Sequence, residues 1–158
     1  MHILYHASTN RDLEVIEPKR TLSHNKYIGD YVFATADKIL ATMYLATRGF
    51  ATLMSTQNTQ SNIVICADPG IYQEGDVGGA IYELSSLSFT ESPQKDLNDY
   101  EFVSMQAVKP LSKVVFEKSL QAMSDAGIII RFVDEQTFEH LLRSPHQTEM
   151  IKKLPIYK

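Results

Sequence analysis

The sequence predicts a strand-rich α+β domain, and three observations carry that expectation. Short apolar runs broken by turn residues recur along most of the chain. Three stretches have helical spacing, and strands and helices do not alternate one for one as a parallel α/β fold requires. The length of 158 residues, 44% of them hydrophobic, suits one domain over 1–158, because domains cluster at roughly 100–200 residues.

The strands follow from the runs. Ile3 to Ala7 is a strand beginning almost at the first residue, and Tyr31-Val32-Phe33-Ala34 is a second. Asn62 to Ala67 is a third, stopped by Asp68-Pro69-Gly70, where proline fixes φ and glycine tolerates positive φ. Ala80 to Phe89, Glu101 to Met105 and Lys113 to Lys118 follow. Gly127 to Val133 is the most apolar run, and its Ile128-Ile129-Ile130 core reads as a central strand. Gly49 to Ser61 and Thr90 to Asp99 are polar and read as loops.

Three helices are expected. Asp37 to Ala46 sets Leu40, Met43, Tyr44 and Thr47 on one stripe, with Thr35 or Asp37 free to accept from the first turn. Ser119 to Ala126 ends at Gly127, a residue suited to a helix stop. Asp134 to Leu142 offers Asp134 as N-cap and Phe138, Leu141 and Leu142 as its apolar face. The segment 143–158 carries two prolines and reads as an extended tail.

Composition excludes several classes. Fifteen Lys and Arg against 19 Asp and Glu give a formal charge of −4. That balance argues against a surface built to coat duplex DNA but leaves room for a local basic groove. Cys66 is the single cysteine, so an intrachain disulfide is excluded, and its apolar run reads as a buried thiol. No run approaches the ~18 apolar residues of a membrane span, and Met1 to His6 lacks the pattern of a secretory signal, so a cytoplasmic protein without membrane contact is expected. Phosphate loops, GxGxxG, HExxH, paired CxxC and GxSxG are all absent, and the five histidines lack metal-ligand spacing.

Three separated segments remain: Leu4-Tyr5-His6-Ala7-Ser8; Gly29 to Thr35 running into the helix that holds Ala41 and Tyr44; and Asp99-Tyr100-Glu101-Phe102-Val103-Ser104. In this order they resemble the His-Tyr-Glu signature of the ADP-ribosyltransferase superfamily, in its diphtheria-toxin and poly(ADP-ribose)-polymerase branch. The likeness spans Leu4 to Phe116, and each motif is weak alone.

The resemblance implies split mixed and antiparallel β-sheets with a few flanking helices, holding NAD+ as co-substrate in a cleft. It implies that His6 bonds the adenosine-side ribose, that Ala7 pairs through its backbone with the nicotinamide amide, and that Ser8 contacts the other ribose. Tyr31 and Tyr44 would stack on the nicotinamide ring. Glu101 would bind a ribose hydroxyl and stabilise the cation formed as nicotinamide leaves. Asp99, two residues before Glu101 and so about 7 Å away on the same strand face, would orient the acceptor. Three departures accompany the likeness. Ala7 stands where the family has glycine, Asp99 is shorter than the usual acid or amide, and Val32 takes the second-motif tyrosine position, leaving Tyr31 one residue off. On a strand, one residue turns a side chain to the opposite face.

The chemistry suits these residue types. A preorganised carboxylate helps where positive charge develops on the ribose, and losing one such group costs on the order of 10²–10³ in rate. The leading expectation is an NAD-dependent mono-ADP-ribosyltransferase, toxin-like, acting on a protein, nucleic acid or small molecule and leaving room for an inhibitory partner protein. The second is a catalytically silent module of the same fold that binds NAD, ADP-ribose or a protein. The third is an RNA 2′-phosphotransferase-like activity, for which Arg11, Lys19, Arg20 and Lys26 lie between the first two motifs.

Overall fold

A computed structural model describes residues 1–23, 25–46, 49–57, 59–93 and 101–158. Among the described residues the chain is a mixed α+β fold with ten strands in two sheets and five α-helices. It divides into two compact units, Met1–Ala41 with Gly79–Val115, and Thr42–Gly78 with Phe116–Lys158. Among the described residues no helix is long and apolar enough to cross a membrane.

The first unit is built on the larger sheet. Its strands are β1 (Ile3–Ser8), β2 (Lys19–Ser23), β3 (Lys26–Thr35), β6 (Gly79–Ser85), β7 (Thr90–Glu91), β8 (Glu101–Ser104) and β9 (Ser112–Phe116). The order is β7-β8-β3-β1-β6-β9, with β2 paired to β3. β1 runs antiparallel to β6 through six consecutive pairs, from Ile3↔Ser85 to Ser8↔Ala80. Alternation sends Leu4, Val32, Ala34, Ala80, Tyr82 and Leu84 to one face, where they form a buried cluster with Ile16 and Val108. Ile16 and Val108 also exchange backbone hydrogen bonds at 2.8 and 3.0 Å. The fully buried Tyr82 ties this face to the loop after β1: its hydroxyl donates to the Asn10 carbonyl at 2.6 Å and accepts from the Leu13 N–H at 3.0 Å.

The second unit holds the smaller sheet, ordered β10-β5-β4, from β4 (Thr52–Gln57), β5 (Gln60–Cys66) and β10 (Ile129–Val133). β10 is parallel to β5 and stands at the end of that order, so the isoleucine run is not the centre of its sheet; the equally apolar Ile63-Val64-Ile65 of β5 is. β4 falls where the sequence reads as a loop, because its Thr, Ser and Gln give no apolar run. A helix missed by the sequence reading, α2 (Pro69–Gly75), follows β5. Asp68 accepts from the Gly70 and Ile71 N–H groups and proline sits in the first turn, so the supposed turn is a capped helix start.

The expected helices form as α1 (Lys38–Tyr44), α3 (Ser119–Asp125) and α4 (Glu135–Arg143). Asp37 caps α1, accepting from Ile39 at 2.8 Å, and Asp134 caps α4, accepting from Thr137 at 2.7 Å. The tail is corrected: 147–153 forms α5 (Gln147–Lys153). Its Ile151 packs among Val64, Val133, Phe138 and Leu141, and its ends carry Glu149 and then Lys152 and Lys153, in the sense that complements the helix dipole. Beyond it, the Tyr157 N–H donates to the Ile130 carbonyl at 2.8 Å, so the last residues are held against β10.

One buried carboxylate organises the junction from α2 to α3. Asp76 is 6% exposed and accepts from the N–H groups of Gly78 (3.1 Å), Ser119 (2.8 Å) and Leu120 (3.1 Å). Gly78 has φ +64, and a Cβ there would lie 2.2 Å from the Phe116 carbonyl oxygen. Asp76→Ala should therefore destabilise the fold by about 2–3 kcal/mol, because it strands buried donors. Asp76→Asn should cost less, and chemical denaturation of the two variants measures the difference.

Candidate functional site

The residues of the first motif lie at a place where the larger sheet parts. Ser86 donates its N–H to the His2 carbonyl at 3.0 Å, which sets the phase of the β1–β6 ladder. His2, Leu4, His6 and Ser8 turn their backbone groups toward β6, and Ile3, Tyr5 and Ala7 turn theirs toward β3. On that second side the register, among the described residues, consists of the single pair Tyr5↔Thr35. Continuing it would pair Ala7 with Phe33. Instead the His6 imidazole enters, and its Nδ1 donates to the Phe33 carbonyl at 2.6 Å. The backbone N–H and C=O of Ala7 thus face the parting between β1 and β3.

That bond fixes the chemistry of the imidazole. A carbonyl accepts only, so Nδ1 carries the proton and Nε2 is left as a bare acceptor. Burial pushes the His6 pKa below the usual histidine value. The bond to Phe33 opposes that push and the charge of Lys19 adds to it. The ring is neutral near pH 7 and lies tilted 46° to Tyr82 with centroids 6.5 Å apart.

Ser8 ends β1, and its Oγ accepts from the Asn10 N–H at 3.1 Å, so the hydroxyl shapes the turn and retains its own proton as a donor. Glu101 opens β8 opposite Thr35. It is half-buried, and burial raises its pKa above the ordinary carboxylate value, only partly offset by the Ser92 hydroxyl, which donates to Oε1 at 3.4 Å. Asp99 lies outside the described residues.

The register gives Tyr31 and Val32 opposite faces of β3. β2 and β3 do carry a bulge, but it lies upstream, where Thr21↔Gly29 is followed by Leu22↔Tyr27 and Ile28 is the extra residue. From Tyr31 to Thr35 the pairing is regular, so Val32 takes the face of Leu4 and His6, where it is buried, and Tyr31 takes the other. Tyr31 is held in its own strand. Its hydroxyl donates to the Ile28 carbonyl at 3.0 Å, and its ring covers Gly29, where φ is +148 and a Cβ would meet the Tyr31 Cζ at 2.6 Å. Tyr44 ends α1, half-buried and belonging to the second unit.

The same registers show a row that sequence reasoning missed. Glu83, Tyr5, Thr35 and Glu101 lie side by side across β6, β1, β3 and β8, on the face opposite His6. Lys38 stands 5.7 Å from the Tyr5 ring and 3.9 Å from Glu83, which also accepts from the Ser112 hydroxyl at 2.7 Å. Two carboxylates thus bracket an aromatic ring and a threonine over roughly 14 Å, three strand spacings. His6 and Glu101 are therefore separated by the plane of the sheet, and the parting beside Ala7 is where the ladder between those faces opens. The sequence carries no signal for this row, because pairing partners are far apart in the chain.

The remaining chemistry is sparse. The Cys66 thiol is only partly buried, and its pKa is pushed up by desolvation and by Glu135, Asp134 and Glu139, so it is a poor nucleophile. It lines a hollow of about 510 Å³ with Phe50, Val133 and Phe138. A second hollow of about 570 Å³, beside Tyr82, Lys109 and Lys113, is lined by none of the expected site residues. Among the described residues no group of three His, Cys, Asp or Glu could hold a metal ion.

No protein-family model, curated protein or solved structure matches this chain.

Two consequences follow for stability. A histidine whose folded pKa lies below its unfolded value stabilises the fold above that unfolded value, near 6.5, and loses the contribution as pH falls. Melting temperature should thus drop between about pH 7 and pH 5, and His6→Gln should flatten that part of the profile. For Glu101 the raised pKa means that its charged form opposes folding at pH 7. Glu101→Gln should melt at or above the wild-type temperature at pH 7, with the gain disappearing below pH 4.

Proposed function

We propose that the chain binds NAD+ at the parting of β1 and β3 and transfers its ADP-ribose to an acceptor, releasing nicotinamide. The observation that carries this reading is the His6 Nδ1 bond to the Phe33 carbonyl, which leaves Nε2 as an acceptor and the Ala7 backbone pair facing the opening. A neutral Nε2 suits a ribose hydroxyl, which can donate to it. An adjacent N–H and C=O suit a carboxamide, which has one acceptor and two donors. Ala7 replaces glycine without cost to that role, since both backbone groups are kept.

In the reaction the bond between ribose C1′ and the nicotinamide nitrogen breaks, and its electron pair leaves with nicotinamide. A lone pair of the acceptor forms the new bond to C1′, and the acceptor proton goes to solvent or to a nearby base. Glu101 acts in its ionised form, countering the positive charge that grows on the ribose. It lies beside Thr35, with Tyr5 two strand spacings away on the same face.

Nicotinamide release from NAD+ should fall on the order of 10²–10³-fold in Glu101→Gln. It should fall in His6→Ala and stay near wild type in Tyr31→Phe, whose hydroxyl is engaged within β3. Turnover should also decline on the acid side with a midpoint above that of an ordinary glutamate, following the raised Glu101 pKa. Unchanged turnover in Glu101→Gln would end this reading. One observation favours a second reading, a silent NAD- or ADP-ribose-binding module: alternation sets His6 and Glu101 on opposite faces of the sheet. Calorimetric binding of NAD+ by the wild-type chain with background nicotinamide release would favour it.

A further inference from the structure

Before Phe33, the β2–β3 hairpin enters the site above only through the charge of Lys19 on His6, yet it reverses the charge of the chain locally. Lys19, Arg20 and Lys26 lie on it, all exposed, against the single carboxylate of Asp30, in a chain of net charge −4. Among the described residues none of the three cations has a carboxylate within ion-pairing distance. The register gives the hairpin two different faces. Arg20, Leu22, Tyr27 and Asp30 share one, and Lys19, Thr21 and Lys26 share the other.

The first face is unlike an ordinary solvated ribbon. Tyr27 is 58% exposed and Leu22 is 51% exposed, directly opposite each other in the register. The Arg20 guanidinium stands 5.5 Å from the Tyr27 ring centre. The Ile28 bulge, with Gly29 at φ +148, supplies the extra residue that turns Tyr27 to this face. A flat ring and a guanidinium plane are elements by which proteins hold unpaired bases, and the lysines on the reverse of the same ribbon supply cations for the phosphates. A purely acidic protein partner would use the cations but would have no need of the exposed ring.

We propose that the β2–β3 hairpin binds single-stranded nucleic acid, with bases stacking on Tyr27 and Arg20 and phosphates passing round the ribbon's edge to Lys19 and Lys26 on its other face. The surface is sequence-tolerant, because a ring reads a base face rather than its edge. β3 also joins it to the candidate site: Tyr27 and Phe33 are six residues apart on one strand, roughly 20 Å. If the transfer reaction stands, the same surface would hold its acceptor; the binding itself does not depend on that reaction.

The test is fluorescence anisotropy with a labelled 12-nucleotide oligouridine, using the full chain. Binding should weaken with salt at a slope of about −2 in log K against log salt, for three cations on a single strand. Tyr27→Ala should weaken it on the order of tenfold, and Lys19→Ala with Lys26→Ala should lower the slope. Circular dichroism melts of these exposed variants should match wild type, so lost binding would report the surface and not the fold. No binding at low salt overturns the proposal, as does a duplex of equal length bound as tightly. Competition by polyglutamate with Tyr27→Ala at wild-type strength would also overturn it, in favour of an acidic protein partner. Because NAD+ turnover is not read, failure here leaves the transfer reading intact, and failure of that reading leaves this one.

Discussion

A single hydrogen bond, from the His6 imidazole to the Phe33 carbonyl, determines what the larger sheet can do. β1 is tied to β6 along its whole length but to β3 by one register pair, and the imidazole takes the carbonyl that the next pair would have used. A buried backbone acceptor left without a donor would be costly, so the ring both opens the ladder and satisfies the group it displaces. The tautomer and the direction of Nε2 follow from that one contact, while burial keeps the ring neutral against the pull of the same bond. The exposure of the Ala7 backbone pair toward the opening follows from that contact as well.

The rest of the first unit serves to hold this opening in place. Tyr82 anchors the loop after β1 through two hydrogen bonds, and Ser8 closes the first turn of that loop. Beneath them the apolar face formed by Leu4, Val32, Ala34 and Leu84 fixes which side chains point inward. Because that alternation is fixed by burial, a slip of one residue in β3 would expose Val32 and bury Tyr31. The position of Tyr31 is thus set by the core, and its ring is employed locally in covering Gly29.

Much of the fold was legible. Strands whose apolar residues are buried on both sides, such as β5 and β10, announce themselves as runs, and Asp37 and Asp134 mark helix starts through their capping geometry. What was illegible has a common physical cause: it depends on partners far away in the chain. β4 is a strand because β5 offers it a ladder, despite its polar composition. α5 is a helix because Ile151 finds a buried seat. Pro69 reads as a strand stop and is also the first residue of α2, a double meaning that only the Asp68 cap resolves. For the site, the motif residues His6, Ala7 and Glu101 were visible as residue types, but the register that aligns Glu101 with Thr35 and Tyr5 was not. That register also gives His6 and Glu101 opposite faces, which spacing along the chain cannot reveal.

The most direct test of this account is amide hydrogen exchange at Ala7, followed by NMR with and without NAD+. The account predicts that the Ala7 amide exchanges far faster than that of Tyr5, two residues earlier on the same strand, and becomes protected when NAD+ is added. An Ala7 amide already as protected as Tyr5 in the free chain, or one indifferent to NAD+, would contradict it.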